Sequence, residues 1–461
     1  MPYASLRDLL SLAGLGAPEP GTVEIIGADP VLRTPYRMGT AAAAVIAAAG
    51  VAASDIWALR TGRRQRVSVD MRAATAAFRS FKYLRVNGGP PTGGMDVFSG
   101  FYRVRNGRWI FLHCNFAHHR EAALRVAGVP ADRDALAKAT QSWDGEALED
   151  AIHAAGGCAA FVRTEAEWER HPHAMANASL PLLEITRIAD APPQPLPAAP
   201  RPLSGIRVLD LTRVLAGPTC ARTLAEHGAD VMKITGPSLA HSGLLELDTG
   251  QGKLSAHLDL READGRETLR TLLRSADVFS QAYRPGTLAG WGFSPEDVAV
   301  IRPGIIYVTL SAWGYVGPWS SRRGFDTIVQ SASGMADVMS DGTMPQLQPV
   351  SAIDYVNGYA MAFGVMAALA RRAREGGSWL VRASLASGGR WISQRGRLDA
   401  ATVAKAPKDL TDDDVRPWLR EVAAPDGRIA HLGPVLSLSE TPAHWARPPV
   451  PLGYHPPTWP E

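Results

Sequence analysis

Few residues in this chain have the type and spacing to do chemistry. Three glycine- and proline-marked turns, Val214-Leu215-Ala216-Gly217-Pro218, Arg284-Pro285-Gly286 and Trp313-Gly314-Tyr315-Val316-Gly317-Pro318, each follow a predicted strand. In an open α/β sheet, ligands bind at such strand ends, where backbone N–H groups and helix N-termini receive phosphates. Turn chemistry alone also accounts for any one of these turns. Arg322 and Arg323 lead into Gly324-Phe325-Asp326 and read as a solvated pair unless a polyanion lies nearby. Asp354 heads an otherwise apolar run, and its default reading from local sequence is a helix N-cap.

Other signatures fail on spacing. Thr249-Gly250-Gln251-Gly252-Lys253-Leu254 lacks the first glycine and the Ser or Thr of a P-loop. Gly14-Leu15-Gly16 has no preceding strand and runs into Pro18, so it is no dinucleotide fingerprint. His113, Cys114, His118 and His119 have no second cluster at ligand spacing and read as ordinary surface or core residues.

The elements that must position these turns alternate after residue 203. Ile206 to Leu211 reads as a buried strand, Thr219 to His227 as a helix and Ala229 to Ile234 as the next strand. A helical stretch from Gly265 to Arg274 and strands at Ala276–Ser280 and Gly304–Leu310 continue the pattern. The expectation is a Rossmann-like, doubly wound parallel sheet. Residues 191–202 hold six prolines and read as a linker. Before it the pattern is α+β: a helix at Thr40–Gly50, an extended Arg66–Met71, a hairpin around Asn106-Gly107 and a largely helical Arg120–Glu169. Pro35-Tyr36-Arg37-Met38-Gly39 and its alanine-rich helix echo Asp354-Tyr355-Val356-Asn357-Gly358 and the helix that follows.

Composition bounds the class. The 461 residues carry 48 basic and 45 acidic side chains, a net charge of +3, with 46% hydrophobic and 20% charged residues. That is about three domains' worth of ordinary globular chain. The near-balance of charge offers no global case for nucleic acid or an acidic membrane surface. Cys114, Cys158 and Cys220 form no CxxC pair, and Arg7 and Asp8 interrupt the start, so a cytoplasmic setting is expected. No run reaches the roughly 18 apolar residues of a spanning helix; Ala41–Val51 and Ala360–Ala370 read as buried helices. Asn177-Ala178-Ser179 matches a glycosylation sequon by chance.

The order of pieces from Leu203 to Pro218, through Gly228–Ile234, His257–Leu260, Arg284-Pro285-Gly286, Arg302-Pro303, Gly324-Phe325-Asp326 and Asp354, to Leu438–Pro442 and Leu452-Gly453, resembles the family III CoA-transferases (CaiB/BaiF family). The resemblance implies interlocked homodimers, with acyl-CoA and a carboxylic acid as substrates, no permanently bound cofactor, and an aspartate that attacks the thioester. That aspartate falls on Asp354. CoA contacts are implied at Val214, Leu215, Ala216, Lys233, Arg284, Gly286, Arg323 and Asp326. Departures from the family pattern bear on function. Leu288–Phe293 lacks a basic residue seen in many members, and Phe325 stands where racemases of the family carry His. The small α+β domain, expected after Val381–Leu385, is matched by Val67–Ile188 instead. The expected organisation is a degenerate N-terminal half-copy with the small domain (1–190), the linker (191–202), a Rossmann-like catalytic domain (203–395) and a tail (396–461). In this alignment Pro35 faces Asp354, and Gly88, Gly89, Gly93 and Gly94 complete the site. The expected activity is CoA transfer through an aspartyl anhydride, the alternatives being an acyl-CoA racemase or isomerase and a non-catalytic CoA-binding protein.

Overall fold

A computed structural model describes residues 1–91 and 93–460. The chain begins with helix α1 (Pro2–Leu12), strand β1 (Val23–Ile26), helix α2 (Met38–Thr61), strand β2 (Val67–Asp70), helix α3 (Met71–Ala77) and the short β3 (Arg85–Val86). A small α+β unit follows, with strands β4 (Gly100–Arg103), β5 (Trp109–Leu112) and β6 (Ala159–Phe161) and helices α4 (Ala117–Ala127), α5 (Arg133–Thr140) and α6 (Gly145–Ala154). Helices α7 (Glu165–Glu169) and α8 (Pro172–Ala176) lead to β7 (Leu183–Ala189) and the linker. The alternating part runs β8 (Arg207–Leu211), α9 (Ala216–Glu226), β9 (Asp230–Thr235), α10 (Gly243–Thr249), β10 (Lys253–His257), α11 (Ala263–Leu273), β11 (Val278–Gln281), α12 (Pro295–Ile301) and β12 (Ile306–Ser311). Then come α13 (Asp326–Ala332), α14 (Met335–Val338), α15 (Ala352–Glu375), β13 (Ser378–Ser384) and α16 (Leu385–Ser393). The tail holds α17 (Ala400–Ala404), α18 (Asp412–Val415), β14 (Leu419–Ala424), β15 (Gly427–Leu432) and β16 (Leu436–Leu438).

The main sheet has the order β10-β9-β8-β11-β12-β13-β7. The six strands from β10 to β13 are parallel, and β7 closes the edge antiparallel to β13. Parallel strands covered on both faces are apolar along their length, as Val208, Leu209, Val231, Met232, Val308 and Val381 are here. Strand order reverses between β8 and β11, which opens a crevice at their carboxyl ends. The hairpin expected at Asn106-Gly107 joins β4 to β5, with both residues at positive φ, 67° and 72°. Beyond the sequence reading, the main sheet takes its last strand from residues before the linker. The tail likewise pairs β16 with β2 and β15 with β3.

At the centre, α2 packs on α15. Each is 24 residues long and apolar enough to cross a bilayer by length and composition, yet both are buried in protein. Their surroundings match element for element. β1 runs parallel to β2 with Val23 opposite Val67, as β12 runs parallel to β13 with Val308 opposite Val381. Antiparallel partners arrive from afar, Leu436 facing Val69 and Leu183 facing Ala383. A Cβ at Gly50 would lie 2.6 Å from Val67 and 2.7 Å from Leu436, and one at Gly364 would lie 2.6 Å from Leu183 and 2.9 Å from Val381. Asp70 caps α3 as Ser384 caps α16.

This register corrects the alignment expected from sequence: the counterpart of Asp354 is Thr40, not Pro35. Asp29 accepts the N–H groups of Gly39 and Thr40 at 2.8 and 3.0 Å, just as Asp326 accepts those of Ile353 and Asp354 at 2.8 and 3.1 Å. The shared Tyr-x-x-Gly of Tyr36–Gly39 and Tyr355–Gly358 suggested a false register. An alanine-rich helix buried on nearly every side offers no amphipathic stripe to correct it.

Candidate functional site

The crevice is built first from the loop after β8. Val214 lies in the left-handed region at φ 71°, an outlier for a β-branched residue that stores about 1–3 kcal/mol of strain. Leu215 caps α9 and Ala216 begins it. Beneath this loop, Lys253 Nζ donates to Asp210 at 2.8 Å and to the Pro218 carbonyl at 2.9 Å, while Lys233 Nζ donates to the Thr212 carbonyl. Burial pushes the Asp210 carboxyl up, but Lys253 and Lys233 hold it below the usual range. Gly217 abuts Thr212, where a Cβ would collide. Lys233, expected to touch CoA, is buried, and its ammonium donates to the Thr212 carbonyl beneath this loop.

Arg323 and the following Gly324-Phe325 lie on the loop after β12. The indole of the fully buried Trp313 donates to the Arg323 carbonyl at 3.1 Å. A Cβ on Gly324 would stand 2.6 Å from Ala312. Trp168 from α7, His171 just before α8 and His173 within it pack around Trp313 and Trp319 and so join this loop to the N-terminal half. Burial, then the charge of Arg284, lowers the pKa of Arg323. Arg284 and Gly286 sit in the exposed turn after β11, with Gly286 at φ 83°. Among the described residues, no carboxylate pairs with Arg213, Arg284 or Arg323, whereas Arg322 is paired with Asp150 at 2.5 Å.

The small α+β unit supplies a wall that the sequence reading set aside. His113 stacks flat on Phe325, with centroids 3.9 Å apart and planes 1° from parallel. Phe116 lies 5.8 Å from Phe325 and under the Arg213 guanidinium. Burial lowers His113 to about 4, and burial with His118 and His113 lowers His119 to about 3, so both rings are neutral near pH 7. The signal was present as one aromatic residue, Phe116, among the histidines of 113–119, but nothing local said which loop it would meet.

Asp354 lies in the first turn of α15, one turn before Gly358, whose Cβ would meet the Ala216 carbonyl at 2.8 Å. Among the described residues, no donor hydrogen bonds its buried carboxylate. Burial, then the charge of Asp326, raises its pKa well above the usual carboxylate range. Asp326, expected as a CoA contact, is buried and occupied: it takes two N–H groups at the head of α15 and the Gln330 amide. Burial lifts it to about 6 against those donors. With three donors on Asp326 and none on Asp354, the pair's proton resides on Asp354 and its charge on Asp326. The glycine loop is less engaged than expected. Gly89 exchanges backbone hydrogen bonds with Val86, so its N–H is spent, and Gly93 abuts Leu244. Gly88 and Gly94 face open space.

The described residues thus put a buried carboxyl group without a donor at the head of α15 in a doubly wound sheet, with Arg284 and Arg323 facing no carboxylate and Arg213 donating to the Ala240 carbonyl. The profile described as CoA-transferase family III matches residues 11–192 and 203–447. The chain belongs to the family III CoA-transferases. Among relatives, the acetyl-coenzyme A transferase nodX of Hypoxylon pulicicidum is 31% identical over 64% of this chain and 54% of its own length. The probable fatty acyl-CoA transferase Rv3272 of Mycobacterium tuberculosis is 33% identical over 40% of this chain and 50% of its own. A crystal structure of Rv3272 covers 42% of this chain and 58% of its own at 32% identity, with a TM-score of 0.39. Acetyl-CoA:oxalate CoA-transferase of Acetobacter aceti is 32% identical over 46% of this chain and 58% of its own. The chain spans about half the length of the curated relatives it matches.

Proposed function

We propose that the protein transfers CoA from an acyl-CoA to a free carboxylic acid, with Asp354 as the nucleophile. One observation carries this reading: a buried, unpartnered carboxyl at the head of α15 beside the β8 loop. Once Asp354 has lost its proton, its oxygen attacks the thioester carbonyl carbon. The C–S bond breaks, CoA leaves as thiolate, and the acyl group remains on Asp354 as a mixed anhydride. The thiolate then attacks the aspartyl carbonyl carbon and expels the first acid, leaving an aspartyl thioester. The acceptor carboxylate attacks that thioester and releases CoA again, and the thiolate attacks the acceptor's acyl carbon to give the new acyl-CoA and free Asp354. Each step exchanges one acyl bond for another, so no oxidant or water is consumed.

Arg213, Arg284 and Arg323 offer charge for the CoA phosphates, and the strained Val214–Ala216 loop offers backbone N–H groups beside them. Phe116 and Phe325 supply a flat apolar wall. The homodimer is part of the same reading, and a monomeric mass in solution would overturn that part. The matched surroundings of α2 and α15 support reading residues 1–190 as a degenerate half-copy whose nucleophile position is Thr40.

The test is exchange between a panel of acyl-CoAs and acids, headed by acetyl-CoA and oxalate. Asp354→Ala is expected to abolish exchange and the hydroxylamine-trapped acyl-aspartyl adduct; unchanged exchange sinks the mechanism. Deuterium uptake at the α-carbon without an acceptor acid would point to an isomerase instead.

A further inference from the structure

We infer that Asp326, Gln330 and Gln348 form a positioning relay that ties the head of α15, and with it Asp354, to Thr34 in the N-terminal half. This inference rests on the reading of Asp354 as nucleophile. Thr34 Oγ1 donates to Gln348 Oε1 at 2.7 Å, the Gln348 N–H donates to Gln330 Oε1 at 2.8 Å, and the Gln330 amide donates to Asp326 Oδ1. The other oxygen of Asp326 takes both the Ile353 and the Asp354 N–H groups. Gln348 also reaches the Met335 carbonyl at 3.3 Å, and Thr34 receives the Tyr36 N–H at 3.2 Å. All four side chains are buried, so each hydrogen bond is costly to leave unmade.

The helix head is thus held from outside itself. Ser351 caps α15 by position without a side-chain hydrogen bond, and the anchor is the carboxylate of another element. The same device recurs at Asp29 for α2, where Thr40 carries no carboxylate and the anchor has only a fold to serve. At α15 the anchor has a second effect. Its charge sits one backbone N–H from the nucleophile and opposes the loss of the proton that attack requires. Asp326 therefore sets both the place of Asp354 and the pH at which it becomes a carboxylate, without touching substrate.

The experiment is the pH dependence of kcat for acetyl-CoA and oxalate exchange, or for the best pair from the panel, in Asp326→Asn and Gln330→Glu. Asp326→Asn removes a neighbouring negative charge and should move the acidic limb down by about one pH unit, with kcat reduced and the KM for acyl-CoA little changed. Gln330→Glu replaces a donor with a third acid and should move the limb up. The two variants thus give opposite shifts, and if either fails to fold the other still decides. A limb unmoved in a folded variant overturns the relay as a control on Asp354. A raised KM with an unmoved limb returns Asp326 to a CoA contact. Asp354→Ala, run alongside, separates the two readings: if it keeps full activity the nucleophile is wrong, and if it is dead while the limb stays fixed only the relay is wrong.

Discussion

Replacing Asp354 by Asn should stabilise the protein, and the gain should grow with pH. Burial, then the charge of Asp326, raises the folded-state pKa of Asp354, while the unfolded chain titrates near the ordinary value of about 3.9. Between these two values the folded protein holds a proton that the unfolded chain has released, so stability falls as pH rises. The slope is about 1.4 kcal/mol per pH unit, and it ends at the folded pKa. Asparagine fills the same volume and does not titrate. Wild type and Asp354→Asn should be closest below pH 4, and the variant should pull ahead by about 1.4 kcal/mol from pH 5 to pH 6. For 461 residues the unfolding entropy is about 1 kcal/mol/K, so the melting temperatures should separate by roughly 1.4 °C for each pH unit. Calorimetry at pH 4, 5, 6 and 7 reads this directly. A gap that stays constant with pH would mean that Asp354 is already ionised in the folded protein, and the account of the carboxyl pair would fail.

Three further outcomes follow from the crevice. Lys253→Met leaves Asp210 buried beside Lys233 alone and should cost about 3–5 kcal/mol in urea unfolding at pH 7, less at low pH where Asp210 takes up a proton; a loss below 1 kcal/mol would argue against the pair as the floor of the β8 loop. Val214→Gly removes about 1–3 kcal/mol of left-handed strain against about 1 kcal/mol of glycine entropy, so its melting temperature should not fall. The double variant Arg284→Met, Arg323→Met should raise the KM for acyl-CoA at least tenfold and flatten its dependence on salt, with kcat much less affected; an unchanged KM would remove these guanidinium groups from the phosphate site.

The alternating pattern between Ile206 and Leu310 was legible because strands buried on both faces and amphipathic helices leave strong periodic marks, and Asn106-Gly107 announced its hairpin by turn chemistry. Local sequence read Asp354 as an ordinary N-cap, a position that Ser351 takes, and only the family resemblance singled it out; its anchor was not legible, because Asp326 is far off in sequence and the contact is to backbone N–H groups. The burial of Lys233 was not legible, because its contact with the Thr212 carbonyl forms only when two strands lie side by side. His113 gave no sign of its partner, since stacking on Phe325 depends on how the small unit docks. Strands β7 and β16 escaped because an edge strand's partner is set by tertiary structure, not by its own pattern.

The antiparallel strand β16 has a consequence for how the molecule is made. β2 is complete at Asp70, yet its partner Leu436–Leu438 is synthesised several hundred residues later. At ordinary elongation rates the wait is roughly 20 to 70 s. Over most of that time α2, a helix apolar on nearly every side, has neither β16 nor α15 to cover it. A truncation that removes only the tail should therefore yield an aggregating protein although its main sheet is complete.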